Sequence, residues 1–165
     1  MSDIIKQQDS RRAFVDTLDE LAKSDKKIIV LIPDVGFNYL DNPKLNFPVI
    51  NTGVTEQSTV AIAAGMALHG YKPYVYSMIN FVLFRPAEMI RNCVVNHNAN
   101  VKLIGVKGSE KYKFLGKSHN LLHEQEDTNF CQNINLDWIT PNASDVSEAT
   151  KYMYDSDSPY YMRLP

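Results

Sequence analysis

At 165 residues the chain is long enough for one domain with its own core. Hydrophobic residues make up 44% and charged residues 22%, and the formal net charge of -2 argues against an electrostatic nucleic-acid footprint. No apolar run approaches the length of a membrane-spanning helix, residues 1–10 are too polar for a signal peptide, and Cys93 and Cys131 stand apart without metal-ligand spacing, so two reduced thiols in a cytoplasmic protein are expected.

In chain order, residues 11–24 read as an amphipathic helix with Ala13, Phe14, Leu18, Leu21 and Ala22 on one face and Ser10 as its N-cap. Ile28–Ile32 is a continuous β-branched and leucine run, the pattern of a strand buried on both faces. Pro33-Asp34-Val35-Gly36 ends it, residues 37–46 read as a loop, and residues 48–50 as a short second strand. Residues 56–69 predict an alanine- and glycine-rich apolar helix closed by Gly70 in the left-handed conformation. Residues 73–77 predict a third strand, and 86–96 a helix with Pro86 in its first turn. Residues 101–106 predict a fourth strand, 107–120 a long lysine-bearing loop, and 121–130 a short helix. A strand at 136–140, a helix at 144–155 and a last strand at Tyr160–Leu164 complete the chain. Alternating strand and helix implies an α/β, three-layer αβα fold around a mostly parallel sheet, one domain over residues 1–165. In such a fold Asp34, the 51–56 loop, the 78–85 segment and the 107–119 loop all follow strands and converge on one edge.

Glu56 opens a helix, Val60-Ala-Ile-Ala-Ala-Gly-Met-Ala67, with almost no polar face, so its carboxylate enters a largely buried site and needs a partner. Glu56 as an ordinary first-turn acid complementing the helix dipole is the plainer alternative. Met78, Phe81 and Phe84 recur at a spacing of three where the chain leaves a strand, enough to line one wall; ordinary core packing is the commoner fate of such residues. Gly116-Lys-Ser-His119-Asn120 places a histidine in a loop, where it can donate to an alkoxide or move a proton near neutral pH. His123, Glu124, Glu126 and Asp127 crowd together, a pattern more typical of a solvated helix face than of a metal site.

Taken in order, Asn51-Thr-Gly-Val-Thr-Glu56 with its apolar helix, Tyr76-Ser-Met-Ile-Asn-Phe-Val-Leu-Phe-Arg85, and Gly116-Lys-Ser-His119 resemble the pyrimidine-binding domain of transketolase-like thiamine diphosphate enzymes. The resemblance spans Arg11 to Pro165. It implies that Glu56 hydrogen-bonds the cofactor's aminopyrimidine and activates it, and that Met78, Phe81 and Phe84 surround the ring. It also implies that Asp34 lies near the thiazolium half, that His119 faces the substrate, and that Arg11 and Arg163 bind sugar phosphate. Arg85 and Arg91 continue the family pattern, while Leu115 stands where transketolases carry an aspartate that reads a sugar hydroxyl.

The family's diphosphate-binding half carries Gly-Asp-Gly and a later Asn-Asn segment, which hold magnesium through oxygen ligands. This sequence has no Gly-Asp-Gly. The resemblance therefore implies a split enzyme: this chain supplies the pyrimidine half, and a separate transketolase N-terminal-type subunit holds thiamine diphosphate's phosphates and Mg2+, in a heterotetramer. The expected reaction is transfer of a two-carbon ketol unit between sugar or sugar phosphate substrates. The alternatives are a subunit of a thiamine diphosphate-dependent 2-oxoacid decarboxylase or dehydrogenase, and a non-catalytic scaffold of the same fold.

Overall fold

Five consecutive apolar residues form β1 (Ile28–Ile32), and all five are buried. The computed structural model describes residues 3–36, 38–108 and 110–165. Side chains alternate across this strand. Ile28, Val30 and Ile32 face one apolar cluster, and Ile29 and Leu31 face the other. This is the signature of a central parallel strand covered on both faces.

The remaining strands are β2 (Val49–Asn51), β3 (Lys72–Met78), β4 (Lys102–Val106), β5 (Asp137–Ile139) and β6 (Tyr160–Leu164). All neighbours are parallel, in the order β2-β1-β3-β4-β6-β5. α1 (Asp3–Ala22) and α5 (Val146–Asp155) pack on one face through Phe14, Leu18, Val146 and Met153. α2 (Glu56–Leu68), the helical stretch from Asn80 to Val95 and α4 (Glu126–Asn133) cover the other through Val60, Ala63, Ile90 and Cys131. The result is the expected αβα sandwich. Its winding reverses between β1 and β3, where ligands bind in open parallel sheets.

α2 ends as its sequence predicts. Gly70 has φ +86°, its N–H donates to Ala67 O (3.0 Å), and Tyr71 N–H donates to Met66 O (3.1 Å). The two bonds satisfy carbonyls left open at the helix end.

Four local expectations are corrected. Ser10 is not an N-cap but a buried residue inside α1, because no glycine or proline among residues 3–9 stops the helix from starting earlier. The helix expected over 86–96 begins at Asn80, straight off β3. It runs as a π turn (Asn80–Phe84), one α turn, α3 (Ala87–Met89), and a second π turn (Ile90–Val95). Pro86 has no N–H to continue the ladder, and Arg85 N–H reaches back five residues to Asn80 O (3.1 Å). Most of the loop expected over 107–120 is a 3-10 helix (Glu110–Ser118), kinked at Gly116, whose φ is +64°. α4 starts at Glu126 rather than at 121, because the Glu126 carboxylate accepts the Leu122 N–H (2.6 Å) and holds residues 122–125 as a turn. Phe37 and Ser109, each within an expected loop, lie outside the described residues, as do Met1 and Ser2.

Candidate active site

The loop between β2 and α2 is fixed by its own polar side chains. Asn51 Oδ1 accepts N–H groups from Gly53 (2.9 Å) and from Asp34 (3.2 Å), which ties the ends of β1 and β2 together. Thr52 and Thr59 hydroxyls pair at 2.6 Å, and Thr55 Oγ1 donates to Thr52 O at 2.9 Å. Glu56 therefore opens α2 at the carboxyl edge of the sheet with its side chain turned inward, only 8% exposed. The buried carboxylate has the partner it requires: Arg85 Nη1 donates to Glu56 Oε1. The same guanidinium lies over the Phe81 ring, with Cζ 4.0 Å from the centroid.

Phe81 faces a cavity of about 360 Å³ at the winding reversal. Asp34, Val35 and Gly36 line it from the end of β1, Tyr76 and Met78 from β3, and Val106 from β4. Arg11 of α1, with Tyr112, Leu115 and His119 from the loop after β4, complete its wall. Asp34 sits at φ +55°, a left-handed conformation that asparagine and aspartate tolerate better than most residues. Arg11 Nε is buried there without a hydrogen-bond partner among the described residues. Burial pushes the Tyr76 phenol up to about 12, so it is neutral over the physiological range.

His119 meets Phe81 edge to face, with ring centroids 4.9 Å apart and an interplanar angle of 78°. Ser118 Oγ lies 2.8 Å from His119 Nδ1 and donates to Leu115 O at 2.9 Å. A hydroxyl has one proton. With that proton on the Leu115 carbonyl, Ser118 accepts from Nδ1–H, which leaves Nε2 as a proton acceptor. Asn80 Nδ2 donates to Lys117 O (3.1 Å) and Asn120 O (3.4 Å) and clips this loop to the π turn that carries Phe81.

The structure thus brings Arg11, Asp34, Met78, Phe81 and His119 around one cavity, with Glu56 joined to its wall through Arg85. Two expected residues point elsewhere. Phe84 packs edge to face on Phe130, 5.8 Å between centroids, both partly buried against the apolar cluster on that face of the sheet. In a π turn residues three apart diverge, whereas residues four apart, Phe81 and Arg85, fall nearly over one another. Arg163 is held by carboxylates instead of lining the cavity. Its Nη1 donates to Asp127 Oδ1 (3.2 Å) and Glu124 O (2.7 Å), and Nη2 lies 3.2 Å from Glu124 Oε1. Tyr161 OH donates to the other oxygen of the fully buried Asp127 (2.7 Å), and Lys107 Nζ to Glu124 Oε2 (2.7 Å). Among the described residues no group of three or more His, Cys, Asp or Glu could hold a metal ion.

Sequence reasoning missed Tyr76, Tyr112 and the clip at Asn80. It placed Arg85 in the family pattern without seeing its carboxylate partner. The signal for Asn80 was its place between Met78 and Phe81, a polar residue in an otherwise apolar run.

The family model described as "Transketolase, pyrimidine binding domain" matches residues 6–165. The chain is 31% identical over 158 residues to a subunit of an apulose-4-phosphate transketolase from Phocaeicola vulgatus, covering 93% of this chain and 50% of that protein. It is 26% identical over 159 residues to a 6-deoxy-6-sulfo-D-fructose transketolase subunit from a Clostridium species, covering 93% of this chain and 48% of that protein. Among solved structures it superposes on a split-gene transketolase, described as an inactive beta4 tetramer, with a TM-score of 0.77 and 26% identity, covering 94% of this chain and 50% of that one. The chain spans about half the length of the curated relatives it matches.

Proposed function

Since the chain belongs to the family of transketolase pyrimidine-binding domains, we propose that it is the pyrimidine half of a split, thiamine diphosphate-dependent transferase that moves a two-carbon ketol unit between sugar or sugar phosphate substrates. Residues 1–165 act as one such domain. A separate subunit holds the diphosphate through Mg2+, and two copies of each chain assemble as a heterotetramer in a reducing, cytoplasmic compartment. The free thiols of Cys93 and Cys131 suit that compartment.

The observation that carries this reading is a buried carboxylate linked through Arg85 to an aromatic ring that packs on a histidine: Glu56 at the head of α2, Phe81, and His119 at 78° to Phe81. A site for a flat, weakly basic heteroaromatic ring needs a carboxylate in the ring plane and apolar contact above it. Glu56 serves the first need, and Phe81 and Met78 the second. When bound, thiamine diphosphate supplies a carbanion for carbonyl chemistry. The chain's own residues do the rest. Glu56 fixes the ring edge and its proton. Asp34 stands near the thiazolium half. His119, with Nε2 available, takes or gives a proton at the substrate hydroxyl or carbonyl oxygen. Arg11, whose Nε is buried and has no hydrogen-bond partner among the described residues, receives an anionic group of the sugar. Arg163 acts behind the site by anchoring Asp127, so Arg11 is the stronger substrate ligand of the pair.

Surface apolarity supports a partner against α2. Val54 in the loop before α2, and Ile62 and Leu68 on α2, are 67%, 46% and 59% exposed, apolar surface that suits a partner. A solved relative forms an inactive tetramer of one chain type, and this chain on its own is expected to be inactive too.

Reconstitution tests the reading. The chain is mixed with its diphosphate-binding partner and assayed with ketose donors and, in parallel, with 2-oxoacids. Ketol transfer by the complex and by neither chain alone supports it. Turnover of 2-oxoacids alone points to the decarboxylase or dehydrogenase class, and no turnover with either donor points to a scaffold.

A further inference from the structure

The Arg85 guanidinium makes two contacts at once, a hydrogen bond to the buried Glu56 carboxylate and a cation–π contact with Cζ 4.0 Å over the Phe81 ring centroid. These are the contacts assigned above to the aminopyrimidine ring. A flat group that hydrogen-bonds at its edge and stacks through its face is what this niche accepts, and in the unliganded chain an arginine provides it. One face of one phenyl ring holds only one planar layer, and His119 already packs against the same ring at an interplanar angle of 78°.

We infer that Arg85 holds the seat of the cofactor ring in the unassembled subunit, and that the ring enters only as the guanidinium swings out. This rests on the reading of Glu56 as the pyrimidine's carboxylate. The exchange needs no change of main chain. Arg85 N–H is bonded to Asn80 O (3.1 Å), its carbonyl accepts Gln57 Nε2 (3.4 Å), and the side chain is 45% exposed, so the path outward is open. Glu56, at 10% side-chain exposure, stays in place. Until the ring arrives, Arg85 keeps a buried charge from standing unpaired, which would otherwise destabilise the head of α2. The consequence is a lowered affinity for the ring, because only the fraction of molecules with Arg85 displaced can bind it.

The test uses the full chain and the free aminopyrimidine alcohol of thiamine as probe. Binding is followed by NMR line broadening of the probe in the wild type, Arg85→Met, Arg85→Lys and Glu56→Gln, with the carbon-labelled Glu56 carboxyl read in the three that carry it. Arg85→Met is expected to bind the probe about three- to thirtyfold more tightly, the combined weight of a part-exposed ion pair and a cation–π contact. Arg85→Lys falls between, since it keeps the charge and loses the plane, and Glu56→Gln loses the probe. The wild-type carboxyl resonance moves on Arg85 substitution before any probe is added. Arg85→Gln, which keeps a flat end group without the charge, replaces Arg85→Met if circular dichroism shows the latter misfolded. Equal or weaker probe binding in the Arg85 variants, with binding still dependent on Glu56, overturns this inference and leaves the pyrimidine-site reading standing. No probe binding in any variant, at a concentration that saturates the complex with the diphosphate-binding partner, overturns this inference alone; no binding by that complex either overturns both.

Discussion

Phe81 and His119 meet edge to face with 4.9 Å between ring centroids, which joins the π turn after β3 to the loop after β4 across the mouth of one cavity. The contact fixes the imidazole ring from one side while Ser118 holds Nδ1 from the other. His119 is thereby oriented before any substrate arrives, as a proton-transfer group needs to be.

Replacing His119 with Asn in the assembled enzyme is expected to lower kcat by about 10²–10⁴ with little change in melting temperature. Ser118→Ala keeps the imidazole and loses its orientation, so a smaller fall in kcat with a displaced pH profile is expected. Steady-state kinetics over pH, with thermal melts on the same samples, check both.

The two arginines of the substrate expectation should separate. Arg163→Ala leaves the fully buried Asp127 without its cation, and a loss of about 3–5 kcal/mol in stability is expected. Arg11→Ala should instead raise KM for a sugar phosphate while leaving stability within about 1 kcal/mol. Urea unfolding and KM measurements on the two variants form the comparison. A KM effect confined to Arg163→Ala would reverse the assignment.

Gly105 in β4 lies under Tyr161. A Cβ there would stand 2.6 Å from Tyr161 Cε2, 2.8 Å from its hydroxyl and 3.1 Å from Ile79. Gly105→Ala forces the Tyr161–Asp127 pair apart and should cost about 1–3 kcal/mol, or roughly 2–4 °C in melting temperature per kcal/mol. Calorimetry of the Gly105→Ala variant against a Gly105→Ala/Tyr161→Leu double variant, each compared with its Gly105 parent, tests whether the tyrosine ring is the obstacle.

Lys102 makes stability depend on pH. Its amine is buried at the start of β4 and donates to Ser156 O (2.9 Å) and Ser158 O (2.5 Å). Desolvation pushes it down to about 7 from an ordinary value of 10.5. Between those values the unfolded chain binds more protons than the folded one, so stability climbs as pH rises from about 7 towards 10.5 and the penalty is full below 7. Lys102→Met should flatten that slope in denaturant melts taken across the window.

Much of the fold was legible because its signals were local. β1 and β6 have the bounds the sequence predicts, since an unbroken apolar run in β1 and an aromatic, mostly apolar run in β6 leave little choice beside turn residues. α2 and its Gly70 stop were equally plain. What escaped depends on contacts distant in sequence or on a change of helical pitch. Arg85 finds Glu56 across 29 positions, a pairing no spacing rule reveals. Phe84 leaves the wall because Asn80–Phe84 is a π turn, whereas a spacing of three had suggested one shared face. Arg163 reads as a free arginine until α4 brings Asp127 beneath it.

The most direct test of the half-site account is calorimetric titration of thiamine diphosphate with magnesium into this chain alone and into the chain mixed with a Gly-Asp-Gly-bearing partner subunit. The account predicts weak or no binding by the chain alone, tight binding by the mixture, and loss of turnover in the mixture on Glu56→Gln while assembly persists. Tight binding by the isolated chain, or full turnover with Glu56→Gln, would contradict it.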